Sequence, residues 1–318
     1  MTSVNAAVET STTLEQALQA LEHLMFQAVD SQVTVLRDAS RHILEAGGKR
    51  IRPRMLILSY LACGGTQIES VLPIAAAVEL VHTASVVHDD INDHGVVRRG
   101  RPSINARWGR TFALLTGDFL FTKVYELMAP HKDLNVVLAE ATVALVEGET
   151  LQAAAVKENT LSRQVYYDII ARKTAALFKS AAQMGALLAG AAAEQVEAMG
   201  QYGFNIGLSF QIVDDILDLV GDEAKLGKTA GIDLGQGKGF AAAYASAGGA
   251  VALAEAAPAK NPMDIFKQKL MEGDTLQTAR EQAQQLMWLA TSSLDVLHPS
   301  DAREELREMA RLVVERDF

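Results

Sequence analysis

Asp89-Asp90-Ile91-Asn92-Asp93 and Asp214-Asp215-Ile216-Leu217-Asp218 repeat one acidic pattern, D-D-x-x-D, far apart in the chain, and each closes a markedly apolar stretch. On an α-helix, residues four apart lie one turn above each other, about 6 Å along the axis. The outer carboxylates of each pattern therefore project from one face. Carboxylates so placed repel one another and lose solvation, so a cation must compensate them. Hard divalent cations with oxygen ligands do this, and magnesium divides its shell among carboxylates, waters and substrate phosphates. One acidic run is ordinarily a solvated face or a helix end. Two matched runs, facing each other, would make a site for a magnesium-bound diphosphate.

The cationic residues fit that chemistry. Gly47-Gly48-Lys49-Arg50-Ile51-Arg52-Pro53 joins two glycines, three cations and a helix-starting proline, which can bring backbone N–H groups and charges to an anion. Arg98-Arg99-Gly100-Arg101-Pro102 is a second dense cationic stretch, followed by Lys173-Thr174, Gly227-Lys228-Thr229 and Gly237-Lys238-Gly239. Singly, each reads as a solvated loop or a helix C-cap. Together they alternate with the acidic runs in a chain of net charge −10. That alternation suits a polyanionic substrate held partly by metal and partly by arginine and lysine.

Helical spacing refines the set. Gln211, Asp214 and Asp218 fall at i, i+3 and i+7, one face, and His82 shares a face with Asp89. Ser85 lies one turn beneath Asp89, with Val81 and Ala77 below it. The lining under the acidic rim is thus small and apolar, fit for a hydrocarbon tail. Asp90 and Asp215 point away from the shared faces and read as structural, and His88 and His94 as bystanders. Thr174 could bond its own i−4 carbonyl. Phe121, Tyr125 and Met128 form a helical stripe that reads as core.

These groups must be carried by helices. Apolar residues recur with helical period and strand alternation is nearly absent. The spacing predicts one or two helices from Leu14 to about Ala46, with Thr13 as N-cap and Gly47-Gly48 as the stop. Further helices are expected near 53–63, 69–93, 109–129, 133–155, 161–190 and 194–220. Residues 221–238 read as a loop, with helices near 239–256, 262–272, 275–295 and 299–314 beyond it. No linker divides the chain, so it reads as one all-α domain, a bundle of about 10–13 helices around a deep central cavity.

Composition agrees: of 318 residues, 49% are hydrophobic, which is enough for a sizeable core. The acidic balance argues against general nucleic-acid binding. Cys63 is the only cysteine, so nothing points to an oxidising compartment. MTSVNAAVETST lacks the basic start and apolar core of a signal peptide, and the apolar stretch 71–87 is interrupted by Glu79 and His82. A cytoplasmic protein without a transmembrane segment is expected.

The ordered blocks GGKRIRP, HTASVVHDDINDHGVVRRGRPSIN, GDFLF, EGETLQ, KTAALF and FQIVDDILDLVGDEAKLGKTAGIDLGQGK resemble those of trans-isoprenyl diphosphate synthases of the medium- or long-chain type. The resemblance runs from about residue 14 to the C-terminus and leaves residues 1–13 as a flexible segment. It implies a prenyltransferase that joins isopentenyl diphosphate head-to-tail to an allylic prenyl diphosphate. Asp89, Asp93, Asp214 and Asp218 would hold Mg2+, three ions per site with substrate bound. Arg98, Lys173, Lys228 and Lys238 would hold the allylic diphosphate. Lys49, Arg52, His82 and Arg99 would hold isopentenyl diphosphate. Lys173, Thr174, Gln211 and Lys228 would serve catalysis, the last as a charge on the departing pyrophosphate and Thr174 and Gln211 as oxygens facing the cation. The released pyrophosphate would accept the proton.

By the same resemblance, small residues at Ala84 and Ser85, with Val81 below, would leave the tunnel open for a hexaprenyl to decaprenyl product, with geranylgeranyl diphosphate as the alternative. The family also implies a homodimer and brief membrane contact when a greasy product leaves. After Lys238 the chain departs from the family: Gly239-Phe240-Ala241 stands where a Thr-Leu-Pro-like segment is usual, which removes a helix-start device. Two alternatives remain. A class I terpene cyclase would normally pair D-D-x-x-D with a different metal motif and would not need GGKRIRP. A non-catalytic partner subunit tends to lose aspartates, and here both acidic runs are intact.

Overall fold

The computed structural model describes residues 2–220, 238–240, 242–243 and 274–315. In order they form α1 (Thr2–Ala28), α2 (Thr34–Glu45), α3 (Ile51–Ala62), α4 (Ile68–Asn92), a hairpin of β1 (Val97–Arg98) and β2 (Arg101–Pro102), α5 (Ile104–Trp108), α6 (Arg110–Met128) and α7 (Lys132–Glu158). Then follow α8 (Arg163–Ile170), a π-helical turn (Ala171–Ala175), α9 (Ala176–Leu188), α10 (Ala193–Val220), α11 (Asp274–Ser293), a 3₁₀ turn (Leu294–Val296) and α12 (Asp301–Val314). The all-α class stands.

Local chemistry sets many of the boundaries. Ser103, Ser162 and Ser300 each cap a helix by accepting the backbone N–H three residues on. α7 ends where Asn159 turns left-handed at φ 54°. Between α2 and α3, Gly47 at φ 69° and Arg50 at φ 47° reverse the chain, so the cationic loop sits beside the α2 C-terminus.

Helix α4 is the axis. It packs on α1, α3, α6 and α9, and Val71, Ile74, Ala77, Val78, Leu80 and Val81 are fully covered. Among the described helices it alone is long and apolar enough to cross a bilayer, but 67% of that window is buried in the protein. Its apolar character is that of a central core helix. α10 packs against α9 and α11. Gly207 lets it approach closely, because a Cβ there would lie 2.6 Å from the Ala175 Cα.

Four expectations change. The first helix begins at Thr2, so Thr13 lies inside it and not at its start. The hairpin and α5 stand where only loop was expected. The helix anticipated over 161–190 is broken by the π turn. Finally, the Phe121, Tyr125, Met128 stripe divides: Met128 is core, Phe121 is half-buried and Tyr125 is exposed. The helices expected at 239–256 and 262–272 fall largely outside the described residues.

Candidate active site

Around its acidic end, α4 leaves one stripe open. His82, Ser85, Val86, Asp89 and Asp93 are half-buried, while Val81, Thr83, Ala84, Val87 and Asp90 between them are buried. The open positions follow the helical period, so they share one face and set the two outer carboxylates above Ser85. Asp90 turns inward and takes Arg98, whose Nη2 and Nε donate to its Oδ1 at 2.7 and 3.1 Å. Arg98, expected on the allylic diphosphate, therefore ties the hairpin to α4. Of the three chain-length positions, Val81 and Ala84 are wholly covered by protein. Only Ser85 has surface to offer a tail.

Facing Asp89 is the π turn. Such turns widen a helix by one residue and recur at functional sites. Here the turn carries Arg172, Lys173 and Thr174. It abuts α7 at Gly148, where a Cβ would lie 2.6 Å from the Lys173 backbone nitrogen. The Lys173 ammonium pairs with Glu149, donates to Gln152 at 3.2 Å and stands 3.8 Å from Asp89. Burial opposes its charge, but Asp89 and Glu149 outweigh that and hold its pKa above the ordinary lysine value. Asp89 is pushed up to about 6, by burial first; Lys173 pulls the other way, and Glu149 and Asp93 add to the rise. Asp93 takes Lys238.

From the same turn, Thr174 Oγ1 donates to Gln211 Oε1 at 2.8 Å rather than to its own helix. Gln211 Nε2 in turn donates to Asp215 Oδ1 at 2.9 Å. Asp215 Oδ2 accepts from Tyr166 at 2.7 Å and from the Phe240 backbone N–H at 2.9 Å. Asp215 is thus the knot that holds α10, α8 and the segment after Lys238 together. Asp214 is close enough to Arg52 to stabilise its charge, and Asp218 is buried.

The second cationic group gathers around Glu79, a carboxylate that the sequence pattern marks only as an interruption of an apolar run. Arg50, left-handed at the start of α3, donates to Glu79 at 2.8 Å with both groups buried, and to the Leu44 carbonyl at 3.2 Å. Arg52 lies 4.4 Å from the Phe178 ring centroid, and its Nε is buried without a hydrogen-bond partner. Burial lowers its pKa to about 10 against the pull of Glu79 and Asp214. Arg99 sits in the two-residue hairpin turn, where it and Gly100 both have positive φ, 51° and 73°. Its guanidinium lies against Gly48, so closely that a Cβ there would be 2.6 Å from Nη1. His82 stands amid these cations. Burial, then Arg52, Arg99, Arg98 and Arg50, hold its pKa well below the usual value, so the ring is neutral. Lys49 is exposed at the edge. Lys228 lies outside the described residues.

The structure thus assembles an acidic wall on α4, a lysine between that wall and α7, and a separate arginine-histidine pocket at the hairpin. Glu79, Glu149 and Gln152 were given no catalytic or binding role from the sequence, and Asp215 only a structural one. Glu149 and Gln152 lie on α7 at i and i+3, and that spacing was the available signal. Among the described residues, no three acidic or histidine side chains converge tightly enough to hold a metal by themselves. The donor set fits an ion that completes its shell with diphosphate oxygens and water. Asp89 and Asp93 already face cations here, the ammonium groups of Lys173 and Lys238.

A helical fold with carboxylates on α4 beside Lys173 and Lys238, and a second group of cations around Glu79, is that of a class of enzymes acting on prenyl diphosphates. The chain belongs to the polyprenyl synthetase family, whose profile matches residues 33–281, and it is a prenyltransferase of that family. It is 36% identical to heptaprenyl diphosphate synthase component 2 of Geobacillus stearothermophilus, over 96% of this chain and 97% of that one. It is also 36% identical to a short chain isoprenyl diphosphate synthase of Methanothermobacter thermautotrophicus, over 89% and 91%. Polyprenyl synthase from Caulobacter crescentus, solved with calcium and isoprenyl diphosphate, superposes with a TM-score of 0.88 at 33% identity, covering 99% of this chain and 98% of that one.

Proposed function

We propose that this protein condenses isopentenyl diphosphate with an allylic prenyl diphosphate, with magnesium, to give a longer all-trans polyprenyl diphosphate. The observation that carries the reading is the separation of its two cationic groups. Lys173 and Lys238 adjoin Asp89 and Asp93, whereas Arg52, His82 and Arg99 gather around Glu79. One site can therefore bind a metal-associated diphosphate and the other a diphosphate held by guanidinium groups alone.

Bound magnesium would neutralise the departing pyrophosphate as a Lewis acid. Asp89, Asp93, Asp214 and Asp218 would hold it. Lys173, passing from Glu149 to the diphosphate, adds charge-assisted hydrogen bonds where negative charge develops. Thr174 and Gln211, locked to each other and to Asp215, present oxygen dipoles to the allylic cation without a nucleophile to trap it. His82, as a neutral imidazole, donates to the second diphosphate while Arg52 and Arg99 carry the charge. As the allylic C–O bond breaks and pyrophosphate departs, the double bond of isopentenyl diphosphate attacks the allylic carbon, a proton passes to the released pyrophosphate, and the chain grows by one isoprene unit.

Product length follows from this chain's own residues, since relatives of equal identity bear names of different product classes. The open α4 stripe places Ser85 one turn below Asp89, beside Val86, and this small side chain leaves room for a medium or long tail. The protein acts in the cytoplasm as a homodimer. Its apolar surface supports that assembly: Phe112 and Leu115 on α6, and Val136, Val143 and Val146 on α7, are all exposed. The test is incorporation of labelled isopentenyl diphosphate onto geranyl or farnesyl diphosphate with magnesium, with products resolved by length. A ladder ending in one prenyl alcohol supports the reading, and no incorporation by folded protein overturns it.

A further inference from the structure

His42 touches none of the groups above, yet both nitrogens of its buried ring are committed. Nε2 lies 2.8 Å from the Pro102 carbonyl oxygen, which can only accept, so Nε2 carries the proton. Nδ1 lies 3.1 Å from Arg107 Nη1, which can only donate, so Nδ1 carries the lone pair. The ring is edge-on to Trp108, with centroids 5.1 Å apart, and the Arg107 guanidinium covers the same indole at 4.5 Å. A neutral imidazole of fixed tautomer thus joins α2, the end of β2 and α5.

Each partner leads to the arginine-histidine pocket. Pro102 pairs with Val97 at the open end of the hairpin whose turn carries Arg99. From His42, α2 runs to Glu45 and then to Gly47-Gly48-Lys49, and Gly48 is the surface on which the Arg99 guanidinium rests. A hairpin of two paired positions has no stability of its own, so its ties set its position. On the α2 side these ties are His42 to Pro102 and an exposed Arg101–Glu45 pair at 3.3 Å. Exposed pairs contribute little. The tie to the acidic wall, Arg98 to Asp90, is independent of His42.

We propose that His42 is a positioning residue for isopentenyl diphosphate. By holding Pro102 against α2 it fixes the hairpin relative to the loop of Lys49 and Arg52, so that Arg99 and Arg52 meet one diphosphate. The proposal rests on the synthase reading for its substrate but not for its geometry.

Three variants test it. His42→Phe keeps the ring on Trp108 and loses both hydrogen bonds. His42→Gln keeps a donor for Pro102. Arg107→Ala, at an exposed site, removes the partner of Nδ1 together with the guanidinium stacked on Trp108, and leaves the bond to Pro102 in place. Displacing a binding group by a fraction of an ångström costs on the order of tenfold. His42→Phe is therefore expected to raise KM for isopentenyl diphosphate about tenfold, with kcat and KM for the allylic primer within about twofold. His42→Gln restores at least half of that loss, and Arg107→Ala moves the same constant in the same direction by a smaller factor. In hydrogen exchange, amides of residues 97–101 and 103 exchange about tenfold faster in His42→Phe while those of α4 keep their rate. Equal rises in both KM values, or a lowered melting temperature with kinetics and hairpin exchange unchanged, overturn the proposal. If wild-type protein incorporates nothing, the synthase reading falls, and hairpin exchange alone then decides whether His42 positions the loop.

Discussion

At position 85, α4 turns a serine into the open stripe one turn below Asp89, and its hydroxyl is spent on the His82 carbonyl at 2.8 Å. Val86 is the other half-buried side chain of that turn, so the serine is the smaller of the two residues below the carboxylate, beside the space that a growing tail would enter. Ser85→Phe should fill that space, shorten the longest product by at least two isoprene units and leave primer ionisation nearly unchanged; chromatography of the dephosphorylated products reads this directly. By contrast Ala84→Phe, at a wholly covered position, should lower the melting temperature by overpacking, by about 1–3 kcal/mol of stability.

His82 gives a second prediction at the same scale. Its folded pKa lies below the usual value of 6.5, through burial and the surrounding arginines. The unfolded chain therefore takes up a proton that the folded chain refuses. The stability involved is fully present above about 6.5 and is lost as pH falls below it. The melting temperature of the wild type should fall more steeply between pH 7 and pH 5 than that of His82→Gln. Parallel curves for the two proteins would mean that the ring is not held neutral.

Among the elements, the π turn bears most directly on chemistry. It is pressed against α7 at Gly148 and against α10 at Gly207, so Lys173 and Thr174 are held from both sides. Gly148→Ala would push on the Lys173 backbone. It should cost about 1–3 kcal/mol of stability, and KM for the allylic substrate should rise more than KM for isopentenyl diphosphate. Equal effects on both substrates would show that the turn does not act through Lys173.

Much of this layer was legible in the sequence, because long amphipathic helices and D-D-x-x-D spacing are periodic signals. The π turn was not, since Ala171–Ala175 carries no composition that separates π from α. The hairpin was missed for a different reason: two paired positions are too few to alternate, and its only mark was Arg99-Gly100, a turn dipeptide within a basic run. Asp90 turns away from the open stripe as expected, whereas Asp215, read the same way, accepts from Gln211 on the shared face. Their partners Arg98, Tyr166 and Phe240 come from other elements, so spacing alone could not name them.

For the whole molecule, the proposed dimer links assembly to the site. The outward side of α7 presents Val136, Val143 and Val146, while Glu149 and Gln152, further along the same helix, touch Lys173. A helix whose apolar side is covered by a second copy is a firmer backing for that lysine than one facing water. Exposing three valines on α7 together with Phe112, Leu114, Leu115 and Tyr125 on α6 has no benefit to a lone chain. Val143→Glu places a charge at the middle of the face, 58% exposed in the single chain, where it costs the monomer nothing and a dimer a desolvated carboxylate. Light scattering should give roughly twice 34.2 kDa for the wild type and the single mass for Val143→Glu. Because the site is braced through α7, kcat of the variant should fall about tenfold or more at concentrations where the wild type is dimeric. A monomeric wild type would remove the assembly, and a monomeric variant with full activity would show that the site needs no second copy.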